Sequence, residues 1–140
     1  TDTARWIRDV SRSLAQNDQA PRRSIAEPLT STILDSGVQA AIAQYRELEE
    51  SQPTAYRFTE GDINILGYQL MAREMLDEAL EIFKLYVEKF PDAFNAYDSL
   101  GEAYMVRGEL APATANYERS LELNPDNTNA VNQLNLIRER

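Results

Sequence analysis

Residues 97–104 read Tyr97-Asp98-Ser99-Leu100-Gly101-Glu102-Ala103-Tyr104, followed at set intervals by Ala113, Tyr117 and Pro125. Moved back by 34 residues without a gap, Tyr97, Leu100, Gly101, Tyr104, Ala113, Tyr117 and Pro125 fall on Ile63, Leu66, Gly67, Leu70, Ala79, Phe83 and Pro91. A period of this length marks a supersecondary unit that stacks on copies of itself. Such stacks serve more often as scaffolds than as catalysts.

The prolines at 53, 91 and 125 punctuate amphipathic runs. Each lacks an N–H and pushes its predecessor out of the helical region, so each predicts a helix stop. Pro91 to Pro125 spans 34 residues and Pro53 to Pro91 spans 38, which places an insertion of four at Tyr56-Arg57-Phe58-Thr59. Thr59 with Asp62 predicts an N-cap, and Phe58 a staple onto Ile63, for a helix ending near Ala72. After a turn near Glu74, Ala79, Ile82, Phe83, Tyr86 and Phe90 form the apolar stripe of a helix over 76–89. The following unit predicts a helix over 93–106 capped by Asp92 or its neighbour, a turn at Arg107-Gly108-Glu109 and a helix over 110–123. Pro112 falls in that last helix's first turn, where the missing N–H costs little.

Residues 22–55 read as a degenerate copy, with Ala41, Tyr45, Leu48 and Pro53 at the spacing of a second helix. Its first helix is expected over 25–34, with Ser24 and Glu27 as a capping box; Pro28 allows a start three residues later. Residues 128–140 are half a unit, a capping helix expected to bury Ala130, Val131, Leu134 and Ile137. Residues 1–21 hold an amphipathic helix over 3–16, with Trp6, Val10 and Leu14 on one stripe, and then a polar linker.

The pattern Tyr97-x₂-Leu100-Gly101-x₂-Tyr104, Ala113-x₃-Tyr117, Pro125 resembles the tetratricopeptide repeat. The earlier copy departs from it at Ile63, Leu70 and Glu74. The resemblance implies an all-α, right-handed α-solenoid: a degenerate repeat at 22–55, repeats at 60–93 and 94–127, and a capping helix at 128–140. Gly67 and Gly101 then mark the close approach of paired helices, with Ala79 and Ala113 opposite and Phe83 and Tyr117 filling space toward neighbouring units. If the turn at Glu74 is left-handed, glycine there would be more stable by about 1 kcal/mol. A narrower resemblance involves Pro21-Arg22-Arg23-Ser24-Ile25-Ala26-Glu27, residues 37–46 and residues 97–104. These stretches look like the carboxy-terminal extension of bacterial serine hydrolases of the β-lactamase and penicillin-binding type. On that reading, residues 1–20 would be the tail of an upstream catalytic domain.

Composition excludes several chemistries. The chain has 140 residues, of which 43% are hydrophobic, and neither cysteine nor histidine. Disulfides, thiol nucleophiles, Cys/His zinc sites and a histidine base are therefore ruled out. Only Lys84 and Lys89 could supply the lysine of Ser-x-x-Lys, and neither has a serine three residues before it. Tyr97-Asp98-Ser99 matches the Tyr-x-Ser element of such hydrolases only superficially, since Tyr97 is the large apolar position of a repeat helix. Glu49-Glu50 and Asp77-Glu78 read as solvated helix faces, and no phosphate or calcium loop is present. The segment itself is read as non-catalytic and without a cofactor.

Net charge is −9. Residues 1–23 contribute five arginines against three aspartates, +2, which leaves −11 on the remainder. An acidic body of this kind disfavours nucleic acid and favours a basic or neutral protein or peptide. No apolar run is long enough to span a bilayer. The start, Thr1-Asp2-Thr3, reads as a cut end and leaves the compartment open: cytoplasmic, or periplasmic or exported if a β-lactamase-like domain precedes it.

The expected binding surface is the face lined by the first helix of each hairpin. Asn64, Asp98 and Asn132 recur at the period and are expected to form a ladder. Tyr68, Met71, Asn95, Glu102, Met105 and Asn129 lie on or near that face. Amides suit an extended backbone, and Met and Tyr give adaptable apolar contact. Acidic Asp98 and Glu102 argue against gripping a carboxylate tail. The readings are thus a protein-interaction module, a docking or dimerisation domain of a serine hydrolase, or self-association through the N-terminal helix.

Overall fold

The helix starts and stops follow from local chemistry. The computed structural model describes residues 3–8 and 22–140. Residues 3–8 are helical, with Trp6 and Ile7 exposed; the rest of the expected N-terminal helix and linker lies outside the described residues. From residue 22 the order is β1 (Arg23–Ser24), α1 (Ala26–Ser36), α2 (Val38–Ser51), β2 (Tyr56–Arg57), α3 (Glu60–Ala72), α4 (Leu76–Lys89), α5 (Phe94–Val106), α6 (Leu110–Leu123) and α7 (Thr128–Arg138). The pairs α1/α2, α3/α4 and α5/α6 are hairpins, and α7 packs on α6. First helices stand side by side, α1 with α3 and α3 with α5, as do second helices α2 and α4. This is an all-α solenoid.

At Thr59 the expected capping box forms in full: the side chain accepts from Asp62 N, and the Asp62 carboxylate accepts from Thr59 N. The hairpin turns of α3/α4 and α5/α6 repeat each other bond for bond. Glu74 N donates to Met71 O and Met75 N to Leu70 O; Gly108 N donates to Met105 O and Glu109 N to Tyr104 O. Both are Schellman turns, which require a left-handed residue. Gly108 takes φ 81°, and Glu74 is forced to φ 61°.

Close packing explains the glycines. A Cβ on Gly67 would lie 2.2 Å from the Phe83 ring, and one on Gly101 3.2 Å from the Tyr117 ring. Phe83 and Tyr117 therefore lie on the glycine of their own hairpin's first helix, and Tyr117 also packs toward the next helix, in one cluster with Ala130 and Leu134. One core runs continuously from Ile25 and Leu29 through Tyr45, Phe83 and Tyr86 to Leu100. A smaller one joins Ala113 and Tyr117 to Ala130 and Leu134, with Tyr104 in contact with both. Full burial of each large apolar side chain stabilises the fold by about 2 kcal/mol.

The N-cap of α5 is Ala93, the neighbour of Asp92, and it makes no side-chain capping bond. Three expectations are corrected. Ser24 and Glu27 make no capping box at α1, which starts after Ile25. Ile25 N is taken by Arg57 O, and Glu27 pairs with Arg23 at 2.9 Å. Val131 is 41% exposed. It stands where Tyr97 lies under Arg119 of the paired helix, and among the described residues no helix follows α7 to cover it. The four-residue insertion is more than a helix start. Tyr56 and Arg57 pair in parallel with Arg23 and Ser24, tying the first hairpin to the second.

Candidate partner-binding groove

First helices present one continuous face, because their buried stripe points at the second helices and leaves the opposite stripe outward. Two clefts open on it. One, of about 450 Å³, lies between α1 and α3 and is lined by Glu27, Thr30, Arg57, Ile65 and Gln69 among others. The second, of about 220 Å³, lies between α5 and α7, with Glu102, Met105, Tyr117, Asn129, Gln133 and Arg140 in its lining.

Between the clefts, the helices are fastened by side chains expected to face a ligand. Tyr68 Oη donates to Glu102 Oε2 at 2.5 Å, and Ser99 Oγ donates to Asn64 Oδ1 at 2.6 Å. Burial and then the Glu102 contact push the Tyr68 pKa upward, so its hydroxyl stays a donor. Asp98 is only 7% exposed. It accepts from Asn127 Nδ2 at 2.7 Å and from Asn129 Nδ2 at 2.9 and 3.1 Å. Asn127 also donates to Ser120 Oγ at 2.8 Å, and Ser120 donates onward to Phe94 O at 2.9 Å. This buried network is what orients α7 on the α5/α6 hairpin.

The expected ladder therefore divides. Asn64 and Asp98 are internal fasteners, and Asn132 is exposed and outside the α5/α7 cleft. Glu102, Met105 and Asn129 come together in that cleft. Tyr68 stacks edge-on against Phe83, Met71 packs on the core, and Asn95 is exposed 3.5 Å from Tyr86 Oη. Cleft residues missing from the sequence reading include Glu27, Thr30, Arg57, Ile65 and Gln69 in the first, and Tyr117, Gln133 and Arg140 in the second. Ile65 and Gln133 stand at equivalent positions of the repeat, one residue beyond the ladder, but they share no residue type that could have marked them.

At the edge of the first cleft, Arg57 grips Asp62 with both nitrogens at 2.7 and 3.0 Å. Asp62 is 2% exposed. Burial alone would raise its pKa, but hydrogen bonds from Arg57, Thr59 and Ser24 outweigh it and hold the carboxyl well below the usual range. Among the described residues no cluster of acidic side chains could hold a metal, and no helix is long and apolar enough to cross a membrane.

No family model matches the chain. Human protein O-mannosyl-transferase TMTC1 is 37% identical over 60 residues, which is 43% of this chain but only 7% of that protein's length. Among solved structures, the first TPR domain of human RPAP3 superposes with TM-score 0.58 at 22% identity, over 83% of this chain and 88% of that domain. The first TPR of Spaghetti (RPAP3), bound to the HSP90 peptide SRMEEVD, gives 0.57 at 22% identity, over 86% and 96%. MamA gives 0.55 at 22% identity, over 78% of this chain and 61% of that one. These likenesses establish that the chain has the fold of a tetratricopeptide-repeat domain.

Proposed function

We propose that the chain is a protein-interaction module that lays an extended segment of a partner along the face of its first helices. One observation carries this reading: both clefts open on that single face, on either side of the helices fastened by Tyr68 and Glu102. Side chains at alternate positions of an extended segment could enter such clefts while backbone amides meet Gln69 and Gln133. The RPAP3 domain solved with an HSP90 peptide supports it as a fold that accommodates a peptide. The surplus of −11 outside residues 1–23 favours a basic or neutral partner. The accessory-domain reading rests on the sequence resemblance alone, since neither TMTC1 nor the solved domains named above is described as a β-lactamase-type hydrolase.

Selection of random displayed peptides on the immobilised chain tests the proposal. Selected peptides are expected to bind several-fold more weakly to the Gln69→Ala, Gln133→Ala double variant and unchanged to Gln39→Ala, outside both clefts. Failure to select any peptide, or equal binding to all three proteins, would reject the groove.

A further inference from the structure

Tyr117 and Phe83 hold the same position in consecutive hairpins, each ring fully buried against the glycine of its first helix. Phe83 shows that packing there needs no hydroxyl. Tyr117 carries one nonetheless, and its Oη has no hydrogen-bond partner among the described residues. Tyr45, the equivalent residue in the first hairpin, also has an unpartnered hydroxyl, but Phe58 and Lys89 lie against its ring. Tyr117 instead lines the α5/α7 cleft.

The chemistry around that hydroxyl is acidic and rich in acceptors. Glu102 gives one carboxylate oxygen to Tyr68, and its Oε1 has no partner among the described residues. Asn129 spends its Nδ2 on Asp98, which turns its Oδ1 into a spare acceptor. No lysine or arginine among the described residues pairs with Glu102 or Asp98, whereas buried Asp62 has Arg57. Arg140 also lines the cleft and makes no ion pair with Glu102. Burial first, and then the charges of Asp98 and Glu102, push the Tyr117 pKa upward, which reports a negative field at that oxygen. The volume of about 220 Å³ suits one long side chain and is below the range of drug-sized pockets.

We propose that the α5/α7 cleft is a cation subsite that receives one lysine or arginine side chain of the bound segment. Glu102 supplies the charge, Tyr117 Oη and Asn129 Oδ1 accept N–H bonds, and Met105 flanks the aliphatic stem. This inference rests on the groove reading and adds the chemistry of one of its positions.

Titration of the isotope-labelled chain by NMR tests it, with capped Gly-Ala-X-Ala-Gly peptides in which X is lysine, arginine, norleucine or glutamate. Lysine and arginine peptides are expected to shift the amides of Glu102, Met105, Asn129 and Gln133, with norleucine at least about tenfold weaker. Glu102→Gln should weaken the lysine peptide about tenfold and Tyr117→Phe about fivefold. Glu118→Gln, exposed on α6, makes the same charge change and should have no effect. Because Phe83 already fills the equivalent site, Tyr117→Phe should fold with an unchanged or higher melting temperature. Equal binding of lysine and norleucine, wild-type binding by Tyr117→Phe, or no shift at the cleft would overturn the subsite. Shifts at Ile65 and Gln69 that are indifferent to X would overturn it while leaving the groove intact, and the displayed-peptide selection judges the groove separately.

Discussion

Glu74 is held at φ 61° by the same pair of hydrogen bonds that Gly108 satisfies at φ 81°. A side chain in the left-handed region costs about 1 kcal/mol, so Glu74→Gly is expected to raise the melting temperature by about 3 °C in calorimetry. An unchanged or lower value would show that the turn stores no strain. The two helix glycines are unequal in a way that residue type does not show. A methyl at Gly67 meets a buried ring at 2.2 Å, whereas at Gly101 the gap is 3.2 Å. Alanine gains close to 1 kcal/mol over glycine in a helix, against an overpacking penalty of roughly 1–3 kcal/mol. Gly67→Ala should therefore be destabilised by about 2 kcal/mol in urea melts, with Gly101→Ala near neutral.

At the scale of elements, the junction of the first two hairpins depends on Asp62, which caps α3 through Thr59 and binds Arg57 of β2. Its folded pKa lies below the unfolded value, so its contribution is fully present above the ordinary carboxylate range and is lost progressively as pH falls from that range toward the depressed folded value. Melting temperature should drop below about pH 4. Asp62→Asn should cost about 2 kcal/mol at neutral pH and flatten that acid limb; a variant with the wild-type pH profile would remove the network from this account. The capping helix depends on its own anchor. Leu134, buried against Tyr117, joins the small second core, and Leu134→Ala should cost about 3 kcal/mol. Hydrogen exchange should quicken in α6 and α7 while α1 and α2 keep their protection, because each repeat touches only its neighbours.

For the whole molecule, the proposed binding surface and the bonds that fasten the helices share one face of the stack. Tyr68, Asn64 and Asp98 hold the first helices in register, and the clefts lie where that fastening stops. A partner segment is expected to meet residues near these fasteners more than the fasteners themselves.

The period of 34, the prolines and the glycine–aromatic pairs were enough to place the helices from Glu60 to Leu123, because hairpin packing repeats the same local demands in each unit. The last helix was legible too: Asn135 and Arg138 occupy the positions of Gly101 and Tyr104, and among the described residues no second helix approaches them. Periodicity could show that Asp98 and Asn64 share a face, but not whether their polar atoms were already engaged. That was decided in three dimensions by Asn127, Asn129 and Ser99, whose side chains reach the same atoms from other helices. The pairing of the insertion with Arg23 and Ser24, and the place of Tyr117 in the lining of the α5/α7 cleft, are likewise contacts between distant residues, which no local pattern encodes.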